Sequence, residues 1–268
     1  MGYLGNQITT VFPTSISVDS ATIKDDVTVD TSTLKVDSSN NRVGVGNDTP
    51  LAVLDVKGST DSFAGMAKVY LTDVTTNSDS RNWSVGNGGS AYGNFTISKS
   101  KVKDGNPSDS GTADNTLIID NAGHITMPLQ PAFMAKASSD QLNLNNTSAH
   151  VTLQFATEIF DQNADYNNST YIFTAPITGR YQLSFNIYLN NIDTAATFFY
   201  VTLKTSNRDV FFIVDPNFSA DLTYYHVAGS LLSDMDANDT AQITYVQASG
   251  TAQTDANAHS YFSGYLVC

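Results

Sequence analysis

Residues 163–186 read NADYNNSTYIFTAPITGRYQLSFN, and how this stretch folds decides the fold of the chain. Its second half runs into Tyr181–Leu189, where apolar and polar side chains alternate residue by residue. A two-residue period is the mark of a strand with one buried face. Ahead of it, Ala175-Pro176 and Gly179 interrupt regular structure, and Asn163 to Thr170 is a cluster of turn-forming residues. The same pattern repeats downstream and upstream. Strands are expected at Phe133–Ala137, Val151–Phe155, Tyr171–Thr174, Tyr181–Leu189, Phe198–Lys204, Val210–Val214, Leu222–Leu231, Ala241–Gln247 and Tyr261–Val267. Strands separated by turns at intervals of roughly 8–12 residues favour a β-sandwich or jelly roll.

The whole composition agrees with an all-β chain. Of the 26 acidic residues in 268, Glu158 is the only glutamate; the other 25 are aspartates, which prefer turns to helices. Charged residues make up only 15%, so the polar surface is built largely from Ser, Thr, Asn, Gln and Gly. The formal charge of −13 opposes binding to phosphate backbones and anionic membranes, so no nucleic-acid partner and no membrane insertion are expected. No apolar run approaches the ~18 residues of a spanning helix, and the start lacks the basic and apolar regions of a signal peptide. The one cysteine, Cys268, cannot close a disulfide within the chain and is read as an inert thiol.

Upstream, the strands are shorter. Val27-Thr28-Val29, Leu34-Lys35-Val36, Val43-Gly44-Val45 and Val53-Leu54-Asp55-Val56 each bury little within one chain and would gain from wrapping around a common axis with other copies. Leu34–Asp37 with its turn and following strand is echoed at Leu117–Asp120, Asn121-Ala122-Gly123 and Ile125–Met127. The pattern of residues 36–56, V-D-x-x-x-N-x-V-G-V-G-N-x-x-P-L-x-x-L-D-V, resembles the hairpin module of bacteriophage tail fibres, where it joins globular segments along a trimeric shaft. The stretch Arg81-Asn82-Trp83 with its following glycines is similar to small β inserts in such fibres. The expected organisation is an attachment segment (1–24), a β-hairpin shaft (25–58), a small β domain with the second hairpin (59–128) and a jelly-roll head (129–268).

Three landmarks of the head line up together: Phe173-Thr174-Ala175-Pro176-x-x-Gly179-x-Tyr181, Leu231 to Asp239, and Tyr261-Phe262-Ser263-Gly264-Tyr265. This set resembles the globular head of the complement first-component family, which shares the tumour-necrosis-factor jelly roll. The resemblance implies a ten-stranded head that packs as a homotrimer; the collagen stalk of the complement proteins is missing, and the β-shaft would take its place. The strands supply a reason for a trimer. In Phe198-Phe199-Tyr200 consecutive aromatic rings must point to opposite faces, and only one face lines the core. Phe198, Tyr200, Phe211, Tyr224, Tyr261 and Tyr265 are therefore expected to meet a neighbouring subunit.

Catalytic chemistry is not expected. His124, His150, His226 and His259 are scattered without metal-ligand spacing; there is no nucleophile elbow and no P-loop, and with 25 aspartates chance carboxylate pairs carry no information. Asp161, Asn163, Asp165 and Asn167 imitate the start of a calcium loop, but Tyr166 and Ile172 stand where an EF-hand needs Gly and Glu. A looser oxygen-ligand calcium site at Asp161, Asn163 and Asp165, or at Asp234, Asp236 and Asp239, is weighed against plain solvated turns, and the turns are preferred; no cofactor is expected. The functional expectation is a phage virion protein assembled in host cytoplasm: a trimeric tail fibre docked to other virion proteins through residues 1–24. Its head would bind a host-surface glycan or protein, with loops 190–197, 205–209, 215–221 and 249–258 as candidates. The alternative is a purely structural capsid decoration, tail adaptor or plug.

Overall fold

The computed structural model describes residues 27–29, 33–59, 65–73, 75–108, 111 and 113–268. The attachment segment expected at 1–24 lies outside them. All regular structure among the described residues is β, and the chain separates into two compact units, Met1–Thr126 and Met127–Cys268.

In the first unit, β1 (Val27–Val29), β2 (Leu34–Asp37), β3 (Arg42–Val45) and β4 (Leu54–Val56) form one sheet in chain order. β2 and β3 make an antiparallel hairpin, whereas β3 and β4 run parallel. The hairpin turn is tied by Asp37, whose Oδ1 accepts the Ser39 and Asn40 N–H groups. The Val-Gly-Val-Gly motif is set by space and handedness: a Cβ on Gly44 would sit 2.0 Å from the Asn47 carbonyl oxygen, and Gly46 has a φ of +71°.

A second sheet of the same unit runs in chain order through β5 (Lys68–Leu71), β6 (Trp83–Asn87), β7 (Phe95–Ser100), β8 (Ala113–Ile119) and β9 (Ile125–Thr126). Here Asp120 repeats the role of Asp37, its Oδ1 accepting the Ala122 and His124 N–H groups. What this sheet buries is polar. Ser84, Thr96, Ser98 and Ser100 are covered, and their hydroxyls bond to Pro107, Gly88, Asn115 and Asn82. Apart from Pro50, Pro107 and Pro131, every buried hydrophobic side chain among the described residues lies at or beyond Phe133. Leu51, Val53, Leu54, Leu71, Val102 and Ile125 of the first unit are exposed.

The second unit, the head, is a sandwich of two antiparallel sheets. One runs β12 (Thr157–Asp161), β10 (Ala132–Lys136), β21 (Tyr261–Leu266), β15 (Gly179–Ile192) and β18 (Leu222–Met235), with β20 (Asp255–Ala256) added to β15. The other runs β13 (Tyr166–Asn167), β14 (Ile172–Thr174), β19 (Thr240–Ala248), β16 (Phe198–Thr205) and β17 (Asp209–Val214), with β11 (Val151–Thr152) beside β19. Each sheet has six strands, so the head has twelve against the ten that the resemblance implied, the two-residue strands β11 and β20 being the additions to two five-strand paths. The core is aromatic at its centre: Phe133 stacks on Phe173 (4.7 Å) and Tyr166 (5.1 Å) and meets Phe262 edge-on (5.0 Å). Buried tyrosines keep their hydroxyls bonded, Tyr166 to the Phe155 carbonyl and Tyr245 to Gln247.

Strand lengths differ from the pattern in three places. β15 and β18 continue to Ile192 and Met235, because polar residues such as Ser233 face inward there and hide the alternation. Only Val151 and Thr152 of the expected 151–155 strand are paired, although Leu153 and Phe155 remain buried. β12 escaped the pattern because both Ile159 and Phe160 are exposed. Phe133→Ala should destabilise the head by about 3–5 kcal/mol, read as a lower denaturation midpoint in the full chain; a loss below 1 kcal/mol would contradict the central place of this ring.

Candidate assembly face and binding cleft

In β15, Tyr181, Leu183, Phe185, Ile187 and Leu189 point into the core. The alternate residues, Gln182, Ser184, Asn186, Tyr188 and Asn190, therefore face outward. Opposite them on β18 stand Leu232, Ser230, Ala228, His226 and Tyr224, and on β21 Tyr265, Ser263 and Tyr261. Across these three strands, between Gln182 and Asn190, the outer face carries no Asp, Glu, Lys or Arg. Tyr188 is its centre, edge-on to His226 (4.2 Å) and Tyr224 (5.7 Å). Met134, Phe160, Ser184 and Tyr265 line an open, mainly apolar groove of about 340 Å³ on the same face. Two buried acceptors, the Oδ1 atoms of Asn186 and Asn190, find no hydrogen-bond partner among the described residues.

The six aromatic residues singled out from the sequence fall into two groups. Tyr224, Tyr261 and Tyr265 belong to this uncharged face. Phe198, Tyr200 and Phe211 lie on the outer face of the other sheet and pack on one another: Phe198 stacks on Tyr200 at 5.8 Å, and Tyr200 meets Phe211 edge-on at 5.3 Å. That second group cannot share a face with the first, because the sandwich core lies between the two sheets. The ring Phe212 turns inward against Phe185 (4.9 Å), as strand alternation requires.

The candidate oxygen ligands sit at one end of the head, Asp161 and Asp234 at the ends of β12 and β18 and the others in the loops beside them. Asp161 spends both oxygens on its own loop, accepting the Asp165 and Tyr166 N–H groups. Asn163 donates to the Leu129 carbonyl. Asp234 is paired with Arg208, Asp239 accepts from Asn207 and from the Asp236 N–H, and Asp236 accepts from Thr178. Asp165 differs: its Oδ2 is buried without a partner, and burial, with Asp161 nearby, pushes its carboxyl above the usual range. It lines an open cleft of about 570 Å³ with Asn168, Thr174, Pro176 and Asn238. No cluster of three or more His, Cys, Asp or Glu side chains suited to a metal occurs among the described residues.

The head has two unlike ends. At the Gly179 end of β15 lie its own first and last residues, with Arg180 N–H bonded to Cys268 O and Leu266 N–H to Pro131 O. The Asp161 and Asp234 turns and loop 205–209 are at this end, Asn207 bonding Asp234 O. At the Ile192 end, three other loops foreseen as contact loops, 190–197, 215–221 and 249–258, come together. A fourth, around Asn143, was missed, since it meets them through tertiary bonds such as Asn143 N–H to Asp255, 112 positions away, and Leu144 N–H to Thr254 O. Asn143, Asn191, Asp221, Thr223, Gln253 and Asp255, with Leu222, line a cleft of about 430 Å³ there.

A family model for the C1q domain matches residues 132–267, half of the chain and nearly all of the head. The chain belongs to the C1q-domain family. Among solved structures, the globular domain of zebrafish complement 1qA protein is 18% identical, covering 52% of this chain and 98% of its own, with a TM-score of 0.39. Murine APRIL is 8% identical, covering 52% of this chain and 99% of its own, with a TM-score of 0.38. No curated protein sequence matches the chain. Domains of the C1q type are often trimeric ligand-binding modules and are not enzymes.

Asp165 gives the C1q domain a pH signature. A carboxyl whose native pKa lies above its unfolded value binds its proton more tightly when folded, so its contribution falls as pH rises through that window. Asp165→Asn should therefore raise the melting temperature at pH 7 more than at pH 4. An equal or reversed change at the two pH values, measured by scanning calorimetry, would contradict the assignment.

Proposed function

We propose that this chain is the homotrimeric subunit of a fibre on a bacteriophage particle, and that its C1q domain binds a receptor on the host surface. The observation that carries the trimer is the uncharged outer face of the β21–β15–β18 sheet. A chain with a formal charge of −13 approaches its copies at least cost where charges are absent, and this face offers tyrosines and an apolar groove. The first unit supports the same reading. Its short strands and the bend before β4 expose Leu51, Val53 and Leu54 and, apart from Pro50 and Pro107, the unit buries no hydrophobic side chain among the described residues, as suits a shaft segment completed by other chains.

The fibre reading adds the hairpin pattern of residues 36–56 and its echo at 117–127, both closed by the same Asp-anchored turn. Residues 1–24 would dock on other virion proteins, and the location would be the virion. Binding would be multivalent: three weak sites on one rigid axis raise effective concentration without new contacts. No catalytic step and no cofactor are assigned.

Light scattering should give the full chain a mass of three times 28.8 kDa. Tyr265→Asp, which places a carboxylate in the apolar groove, should drop it to the monomer mass, while Lys204→Glu on the other sheet's outer face should not. A monomeric parent chain, or a Tyr265→Asp variant that stays trimeric, would overturn the assembly. Adsorption of the labelled trimer to bacterial cells tests the receptor role; a trimer that adsorbs to no cells and fails to block phage infection would leave a purely structural virion part.

A further inference from the structure

We infer that the cleft at the Ile192 end of the head is a saccharide-binding site for neutral, hydroxyl-rich sugars, an inference that rests on the receptor-binding reading above. The position comes first. β15 has 14 residues and, at ~3.3 Å per residue, places Ile192 roughly 40 Å from Gly179, where the head's own termini lie. The larger cleft beside Asp165 sits at the terminal end, among turns bonded to Leu129 and Met127. The Ile192 end is free of that connection.

The walls are built in advance. Asp255 accepts the Asn143 N–H (2.8 Å) with one oxygen and the Asn191 amide (2.9 Å) with the other. Asp221 accepts both the N–H (2.9 Å) and the hydroxyl (2.7 Å) of Thr194, and its second oxygen accepts the Gln253 amide (2.8 Å). Two carboxylates thus lock four loops together. The same bonds hold the Asp221 carboxyl below its usual range, so it stays ionised. A rigid site loses little entropy when a ligand arrives.

The lining selects the ligand. Carboxylate and amide oxygens accept, amide N–H groups donate, and the Asn143 amide and Thr223 hydroxyl bond to no protein group among the described residues. A sugar hydroxyl is donor and acceptor at once and can satisfy both kinds of group. Leu222 supplies one apolar wall for a ring face. No Lys, Arg or His lines the cleft, and two aspartates do, which disfavours phosphates, sulfated or sialylated sugars and acidic peptides. At about 430 Å³ the space falls within the ~300–1,000 Å³ typical of small-ligand sites.

The test uses the labelled full-chain protein and a variant carrying Asn143→Gly, which removes the amide and keeps the left-handed backbone (φ 53°), and Thr223→Val; neither side chain has a structural bond to lose. Cells that bind the parent are treated with periodate, which cleaves sugar diols, or with protease; a printed array of neutral and acidic oligosaccharides is probed in parallel. The expected result is binding that protease spares and periodate abolishes, signal on neutral sugars only, and at least a tenfold loss in the variant with trimer mass and melting temperature unchanged. Binding that protease abolishes and periodate spares marks a protein receptor; it overturns the cleft and leaves the receptor role standing. Sugar binding that the variant retains, or signal confined to acidic sugars, also overturns the cleft. Absence of adsorption to any cell removes the receptor role and the cleft with it.

Discussion

A β-strand turns its side chains alternately to two faces, and a two-layer sandwich can cover only one of them. In the head, the inward set of β15 forms a core with Phe133, Phe173 and Phe262, and nothing more is needed to close the fold. The outward set is then an independent choice. Here it consists of tyrosines, small polar residues and amides without a formal charge from Gln182 to Asn190, in a protein that is otherwise strongly acidic. A surface of this kind repels neither a copy of itself nor a neutral ligand.

The first unit obeys the same constraint from the other side. Its sheets are too short and too rich in Ser, Thr and Gly to make an inner face worth burying, so hydroxyl hydrogen bonds replace apolar packing within β6 and β7. Tight turns do the organising. Asp37 and Asp120 each capture backbone N–H groups with one carboxylate oxygen, and Gly44 leaves room for the Asn47 carbonyl. The head, by contrast, holds an apolar core of its own.

Much of the head was legible in the sequence because the alternation from Tyr181 to Leu189 fixes which side chains enter the core, and Ala175-Pro176 with Gly179 fixes where the strand begins. The loops after Asp161 and before Asp239 were legible as clusters of Asp and Asn, whose side chains capture backbone N–H groups. Other features were not. Phe198 and Tyr224 look equivalent in the sequence but sit on opposite outer faces, because alternation tells in from out and not which sheet a strand joins. The cleft at the Ile192 end depends on Asn143 meeting Asp255, a tertiary contact with no local signal. Nor did the sequence show that Asp165 is set apart from Asp161, as burial is a property of the folded loop.

The account depends most on the uncharged face being covered by other copies of the chain. Hydroxyl-radical footprinting of the full chain in solution, read residue by residue by mass spectrometry, tests this directly. In one chain Tyr224 is 63% exposed and Tyr265 53%, close to the 49% of Phe211 on the other sheet. The account predicts that Tyr224 and Tyr265 are labelled far more slowly than those exposures imply, while Phe211 is labelled in proportion. Labelling of Tyr224 and Tyr265 at the full rate of exposed tyrosines would contradict it.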